Sequence, residues 1–589
     1  MSSIRREWPY FGALIFAFAL GLAGSWQRWG SPLIDCGREM NQPLRILHGE
    51  RLYADIGHIY GPLAPYFNAV LYRLFGPSLG VLQAAGAASA VLILVLCYLV
   101  ARCLAGPAPA FAATLLVMWL CAFKQSGNFF VPYTYAALYG CMLATATLLA
   151  SLRAIDGDDN GPLLIAGMLT GLTFLTKTEM GVSAAAAAIT AAALGGKGWM
   201  RLARRTALVV LPAALIVTGI YGALAAHVGW RALTHEGHLF YQSLPAPIIY
   251  FNKRMFGFED PWGSFVRMGV LTLRLALLAV LLLLASHVAS PETRRKSPRF
   301  WRRLLLTAAA LVAAVALTIP FARIDLGPFL PMPVFLVVLL AATLLRHARR
   351  RTRIDGVSRR TAALIVVTLF ALAGLARMAL RVRSGGAYSS YLLPVSVILF
   401  VYLWLVYLPR LARFPARAAA RRIAWAVLLT LTVGVATTVV RRYRSRYTFP
   451  LRTPRGTMVV RSDQGEAFEG AMRFIETRSA PGDPVAVLPE GTSLLFFTDR
   501  RNPFNEEIVT PGLLDEGRSI RRLEETGTRL VLIANRPTVE FGADVWGRDY
   551  QLRLADWIEK HYVPCGTFGT ETGARFGDQR LFFRAFCRI

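Results

Sequence analysis

The chain has 589 residues, 55% of them hydrophobic and only 17% charged, which is too little polar surface for a soluble protein of this size. Its formal net charge of +30 would point to nucleic acid in a soluble protein, yet from Arg441 onward 20 of the 35 acids face 23 Lys+Arg and that segment is close to neutral. The excess therefore sits in short Arg-rich runs between apolar segments, as in loops held at the cytoplasmic face against anionic lipid. The expected partner is the lipid bilayer, and no nucleic-acid partner is expected.

Taken in chain order, apolar runs long enough to cross or nearly cross about 30 Å of hydrocarbon recur about thirteen times. They lie at 10–26, 78–101, 108–123, 134–152, 161–176, 180–196, 206–227, 264–288, 303–322, 328–345, 361–380, 388–409 and 423–440. The first follows Arg5 and Arg6, has no small-residue cleavage site after it, and reads as a retained signal anchor. With the N-terminus inside and thirteen crossings, every strongly basic loop falls on one side, including Arg201/Arg204/Arg205, Arg294 to Arg303, Arg346 to Arg360 and Arg410 to Arg422. The run Arg441/Arg442/Arg444/Arg446 is the exception, and an even number of crossings would leave the C-terminal segment in the cytoplasm.

Residues 447–589 contain no spanning segment and read as α/β. The expected elements are a helix near Gln464–Thr477, strands at Pro484–Pro489 and Arg529–Ala534, a helix at Tyr550–His561 and a strand at Arg580–Arg588. Cys565 and Cys587 flank the last hairpin-like region and are either disulfide-bonded or two free thiols; Cys97, Cys103, Cys121 and Cys141 read as small core hydrophobes. No CxxC pair supports a zinc site, and no repeat of 20–50 residues is present. The fold class is an α-helical polytopic membrane protein of about 13 transmembrane helices, residues 1–446, with a first outer loop at 27–77. A C-terminal α/β extracytoplasmic domain follows at 447–589.

The outer loops hold the candidate chemistry. The first contains Asp35, Arg38, Glu39, Glu50, Asp55 and His58; a helix starting near Asp35 puts Asp35, Arg38 and Glu39 on one face. Carboxylates at the edge of hydrocarbon are costly unless they pair or do chemistry. The structural alternative is a solvated interfacial helix whose Arg38 neutralises Asp35. Lys177 and Glu179 sit where two apolar runs meet without room for a normal loop, so they face protein or a wet cavity, as catalytic groups or as a structural ion pair. Arg377, Arg381 and Arg383 break the positive-inside rule and precede Ser384-Gly385-Gly386, a combination suited to phosphate; Arg323 and Asp325 form a weaker point of the same kind. His235-Glu236-Gly237-His238 has two zinc-type ligands at helical spacing but no visible third.

The D-x-G-R-E run at Asp35–Glu39, the G-P-L-A-P-Y segment at Gly61–Tyr66 leading through Leu74-Phe75-Gly76, and G-L-T-F-L-T-K-T-E at Gly171–Glu179 resemble the GT-C glycosyltransferases. The similarity is to the bacterial branch with protein O-mannosyltransferases and lipid A aminoarabinose transferases, and it covers about residues 30–200. It implies transfer of a sugar from a polyprenyl-phosphate donor to a lipid, glycan or protein acceptor on the extracytoplasmic face of a bacterial inner membrane. The family's first-loop aspartate maps onto Asp35 as general base, and its basic residue onto Lys177. Arg38, Glu39, His58, Tyr60, Tyr133, Glu179, Arg381 and Arg383 complete the expected substrate-binding set. Two departures stand out. Tyr60-Gly61-Pro62 replaces a common K-P-P, and Tyr133 stands near where many relatives carry a second acid. No cofactor is assigned, and a divalent metal held by such an acid is the one candidate.

The chemistry tolerates that replacement, because a lipid phosphate leaves as a stable anion and needs cations rather than a general acid. One carboxylate to take the acceptor proton and Lys or Arg at the phosphate suffice, with inversion as the expected outcome. The rivals are a transporter or flippase of lipid-linked glycans and a polymerase or ligase using a preassembled glycan. Transporters usually show internal repeats and mid-helix charges, neither of which is evident here.

Overall fold

A computed structural model describes residues 7–155, 159–195, 198–236, 244–288, 329–350, 358–382, 388–412, 416–570 and 580–589. Helix α1, Trp8–Ser25, starts with a proline in its first turn, where the missing N–H costs nothing. Two helices then lie in the first outer loop: α2, Cys36–Leu47, and α3, Leu63–Phe75. Helix α4, Leu79–Leu104, is capped by Ser78, whose hydroxyl accepts from Val81 N–H. Helix α5, Pro107–Val117, runs on through a wide turn at Met118–Ala122, and α6, Tyr135–Arg153, is capped by Thr134.

The remaining membrane helices are α7 (Gly161–Phe174), α8 (Thr178–Leu194), α9 (Trp199–Val228), α10 (Ala246–Phe256), α11 (Pro261–Val288), α12 (Met332–Arg350) and α13 (Arg359–Leu375). They are followed by α14 (Pro394–Tyr402, continued to Leu411) and α15 (Arg417–Arg446). Among the described residues eight helical segments are long and apolar enough to cross a membrane, and four apolar helices are shorter. Each expected span falls on one of these twelve except 303–322, which lies outside the described residues. By length and composition alone, eight of the described helices are sufficient to cross, and the count of thirteen rests on the four shorter ones and on 303–322. The difference comes from segments such as α7, whose 14 residues reach only about 21 Å as a helix. Helix α7 compensates by packing closely: a Cβ at Gly167 or Gly171 would run into the backbone of α9.

Beyond Arg446 the chain turns α/β. A hairpin, β1 (Phe449–Thr453) and β2 (Gly456–Val460), is fastened to the membrane part by Leu79 N–H to Arg455 O (2.8 Å) and Val459 N–H to Gln27 O (2.7 Å). Then follow α16 (Ser462–Arg478), β3 (Val485–Leu488), α17 (Ser493–Thr498), α18 (Glu516–Glu525), β4 (Leu530–Ala534), α19 (Leu552–His561), β5 (Tyr562–Gly569) and β6 (Phe582–Arg588). The sheet order is β3-β4-β6-β5, with β3 and β4 parallel (Val485 opposite Leu530) and the other pairs antiparallel. Every residue of β3 is buried, as a strand covered on both faces requires. The five elements expected in this segment are α16, β3, β4, α19 and β6. The hairpin, α17, α18 and β5 are additional. Cys565 and Cys587 are disulfide-bonded, across the β5–β6 pair where β5 carries a bulge.

Candidate active site

The first outer loop builds one side of the site. Asp35 precedes α2 with φ +62°, a left-handed conformation that L residues adopt rarely and that sites of function often retain. Its carboxylate is 31% exposed and lies 3.5 Å from the Arg38 guanidinium one turn on. Burial raises the Asp35 carboxyl above the usual carboxylate range, against the pull of Arg38, Arg536 and Lys177. Arg38 is itself held from two directions: Nε donates to Glu39 (2.9 Å) and Nη2 to the Tyr133 carbonyl (2.9 Å). The other Glu39 oxygen accepts from Tyr135 N–H (2.7 Å), at the N-terminus of α6, where a negative charge is favoured. Glu39 therefore holds Arg38, and Arg38 faces Asp35. The Asp35–Arg38–Glu39 face expected from helical spacing is present.

The segment after α7 builds the other side. Lys177 is buried; its ammonium donates to the Tyr133 hydroxyl (2.6 Å) and pairs with Glu179 (2.9 Å). Glu179 is shared with Arg377 (2.5 Å). The Lys177 nitrogen also faces the rings of Tyr60 (4.8 Å), Tyr388 (5.0 Å) and Tyr133 (5.2 Å). Aromatic faces stabilise a cation without neutralising it.

Tyr60 links the two sides, because Arg38 lies over the same ring at 5.4 Å. Its position is set by backbone pairing: Gly61 N–H donates to Thr176 O (2.9 Å) and Leu63 N–H to Leu175 O (3.0 Å). A Cβ on Gly61 would lie 2.2 Å from Leu175 O, so the close approach requires glycine. His58 supports this turn through Nε2 and the Gly61 carbonyl (3.3 Å); burial and Arg38 lower its pKa to about 3, which makes it a neutral wall group.

Asp35, Arg38, Glu39, His58, Tyr60, Tyr133, Lys177 and Glu179 thus come together. Arg381 is placed differently, donating to the Arg254 carbonyl at the end of α10 (2.5 Å). Arg383, the Ser384-Gly385-Gly386 segment, Arg323, Asp325 and His238 lie outside the described residues, and the side chains of His235 and Glu236 are not described. Among the described residues no three His, Cys, Asp or Glu side chains are grouped so as to hold a metal ion. Asp35 and Glu39 do not fit a metal, since Arg38 bridges them and Glu39 has both oxygens occupied.

Several members were missed from sequence. Tyr388 lies in the loop already marked by its arginines, of which Arg377 reaches the site through Glu179. Glu490, Arg536 and Glu540 come from the C-terminal domain and carry no local signature. Glu490 follows β3 and Arg536 follows β4, the two parallel strands, and Arg536 bonds Glu490 (2.9 Å) and pairs with Glu540. Parallel strands direct their C-terminal loops into one crevice, and ligands gather there. The crevice abuts Asp35: Ser493 Oγ donates to the Pro32 carbonyl, and a Cβ on Gly491 would meet Leu33 at 3.5 Å. Glu490 is pushed up to about 7 by burial, opposed by Arg536 and reinforced by Asp35.

With this geometry in view, residues 60–221 match a family described as dolichyl-phosphate-mannose-protein mannosyltransferase. Similar solved structures include the Archaeoglobus fulgidus oligosaccharyltransferase in the apo form, 15% identical, with a TM-score of 0.49 over 97% of this chain and 75% of that one. ArnT from Cupriavidus metallidurans in the apo state is 14% identical, with a TM-score of 0.45 over 99% of this chain and 98% of that one. ArnT bound to undecaprenyl phosphate is 15% identical, with a TM-score of 0.42 and 98% of each chain covered. No curated protein sequence matches. The segment that resembles this mannosyltransferase family, residues 60–221, holds Tyr60, Tyr133, Lys177 and Glu179.

Proposed function

We propose that the protein is a membrane glycosyltransferase that takes a sugar from a polyprenyl-phosphate donor, with Asp35 as general base and Lys177 at the donor phosphate. The observation that carries this reading is that a part-exposed carboxylate and a buried ammonium are brought together around one aromatic ring, Tyr60, against which lie both Lys177 and Arg38, the partner of Asp35. An inverting displacement needs a base at the incoming oxygen and a cation at the outgoing one, on opposite sides of the sugar.

The acceptor hydroxyl gives its proton to Asp35 as its oxygen forms a bond to the anomeric carbon. The bond from that carbon to the phosphate oxygen breaks, and the electron pair leaves with the polyprenyl phosphate. Lys177 has three N–H donors, and Tyr133 and Glu179 take two; the third serves the departing phosphate oxygen. Arg377, sharing Glu179 with Lys177, adds positive charge on that side. The raised pKa of Asp35 makes it a stronger base than an exposed aspartate, so its role as acceptor of a hydroxyl proton is favoured. Arg38 keeps it from drifting, and Glu39 keeps Arg38 in place.

The site belongs on the extracytoplasmic face of a bacterial inner membrane, with the N-terminus cytoplasmic. The Cys565–Cys587 disulfide supports that side for the C-terminal domain, since such bonds persist in oxidising compartments. The test is to incubate the purified protein with radiolabelled undecaprenyl-phosphate sugars and membrane extract, with and without chelator. Label moving to a product of opposite anomeric configuration is expected. Absence of transfer from every donor would leave the transport reading in its place.

A further inference from the structure

We propose that Glu490, Arg536, Glu540, Thr510 and Tyr550 form an acceptor subsite, opening beside Asp35, that takes a neutral polyhydroxyl ring such as a saccharide. The proposal rests on the transferase reading above and names the acceptor class for the same site.

The topology brings these residues together. Glu490 and Arg536 stand on the loops that leave the C-terminal ends of β3 and β4, and Arg536 lies between the carboxylates of Glu490 and Glu540. Thr510 is held next to Glu490 because Val509 N–H donates to the Pro489 carbonyl (2.8 Å). The Thr510 hydroxyl is buried, with only 6% of the residue exposed, and has no hydrogen-bond partner among the described residues. A buried hydroxyl without a partner is costly, so such a group is a place where a ligand hydroxyl is gained. The Tyr550 phenol is buried in the field of Glu490, Arg536 and Glu540. The crevice is reachable from outside through Glu540 and Asp35, whose side chains are 25% and 31% exposed.

The chemistry selects the ligand. A guanidinium flanked by two carboxylates offers donors and acceptors side by side, and vicinal hydroxyls satisfy both. Each charge is already matched, Glu490 and Glu540 by Arg536 and Asp35 by Arg38, so neither an amine nor an anion finds an unpaired charge to gain. A neutral saccharide needs none, and Asp35 lies in the field of Arg536, so a ring on that cluster sits on the Asp35 side.

The test uses the full-length protein in lipid nanodiscs and saturation-transfer NMR, which detects weak ligands without turnover. The probes are chitobiose and maltose, with glucosamine, glucuronate and a serine-containing neutral peptide as contrasts. Chitobiose or maltose is expected to bind more tightly than the three contrasts, with Glu490→Gln and Thr510→Val each weakening binding at least tenfold. Thr510→Val keeps the side-chain shape and so separates lost binding from lost fold, checked by an unchanged elution profile. Saccharide binding of this kind in a protein that transfers from no lipid-phosphate sugar would leave the subsite standing and remove the transferase reading. No saccharide binding, binding unchanged in both variants, or tighter binding of the peptide would overturn the subsite, whatever the transfer assay shows.

Discussion

At the scale of single residues, Lys177 and Glu490 are the groups whose environment most limits what they can be. Lys177 is enclosed by three tyrosines and one carboxylate shared with Arg377, so its charge is offset but not cancelled. Replacing it with methionine, of similar length, removes the charge and leaves the volume. Transfer is expected to fall by about a hundredfold or more, the usual loss when one preorganised electrostatic contact is removed. Steady-state rates of Lys177→Met against the parent check this, and a loss below about threefold would take Lys177 out of the mechanism. Glu490 carries a pH signature. Its carboxyl is held at about 7 in the fold against an ordinary value of 4.5, chiefly by burial. Between those values the folded state binds more protons than the unfolded one, so this group's contribution is fully present below about 4.5 and is lost as pH rises through 7. Thermal unfolding across pH 4.5–7.5 is therefore expected to show a downward slope that Glu490→Gln reduces. An identical slope in both proteins would mean that Glu490 ionises as freely as in the unfolded chain.

At the scale of elements, the junction between α2 and the C-terminal domain decides whether the site is assembled. Arg45 of α2 pairs with Glu507 (2.6 Å), Asn41 donates to the same carboxylate (3.0 Å), and Gly57 N–H donates to Asn505 O (2.9 Å). Gly37 lies at the point of nearest approach, where a Cβ would be 2.5 Å from the backbone nitrogen of Ser493. Backbone cannot give way as a flexible side chain does, so Gly37→Ala is expected to cost about 1–3 kcal/mol and to lower both thermal stability and transfer. Gly12→Ala, with nothing within 4 Å of its Cβ, is the matched control. Equal melting temperatures for the two variants would show that the junction tolerates separation. Much of the element structure was legible from sequence. The α2 face carrying Asp35, Arg38 and Glu39 follows from helical spacing, and α16, β3, β4, α19 and β6 follow from hydrophobic periodicity. The β1–β2 hairpin and the short α17 were not legible, because neither has a run long enough to show a period, and their positions come from contacts to Gln27, Leu79 and Pro32 far away in sequence. For the same reason Glu490 and Arg536 gave no signal. They are 46 residues apart, and only the parallel pairing of β3 with β4 makes them neighbours.

At the scale of the whole molecule, the chain divides into helices whose apolar sides face outward and a C-terminal domain whose apolar residues face inward. The lipid-facing character of α9 and α11 shows in exposed Leu211, Leu215, Leu273 and Leu277, which in water would be an aggregating surface. The proposed topology puts the Arg-rich loops inside and Asp35, Lys177 and the disulfide-bearing C-terminal domain outside. Fusions after Ile589 test this side directly: periplasm-dependent alkaline phosphatase is expected to be active and a fluorescent protein that folds only in the cytoplasm is expected to be dark. The reverse pattern would place the candidate site inside and require an even number of crossings.

The claim on which all three scales converge is that Asp35 takes the acceptor proton while the donor is held elsewhere, at Lys177. Asp35→Asn preserves size and leaves the Lys177–Glu179–Arg377 group untouched, so it separates chemistry from donor binding. The measurement is single-turnover transfer from a radiolabelled undecaprenyl-phosphate sugar, alongside donor binding, in the parent and in Asp35→Asn. The expected result is a fall in transfer of about a hundredfold to ten-thousandfold with donor affinity within about threefold of the parent. Transfer at near-parental rate in Asp35→Asn, with the protein folded and donor bound, would contradict it.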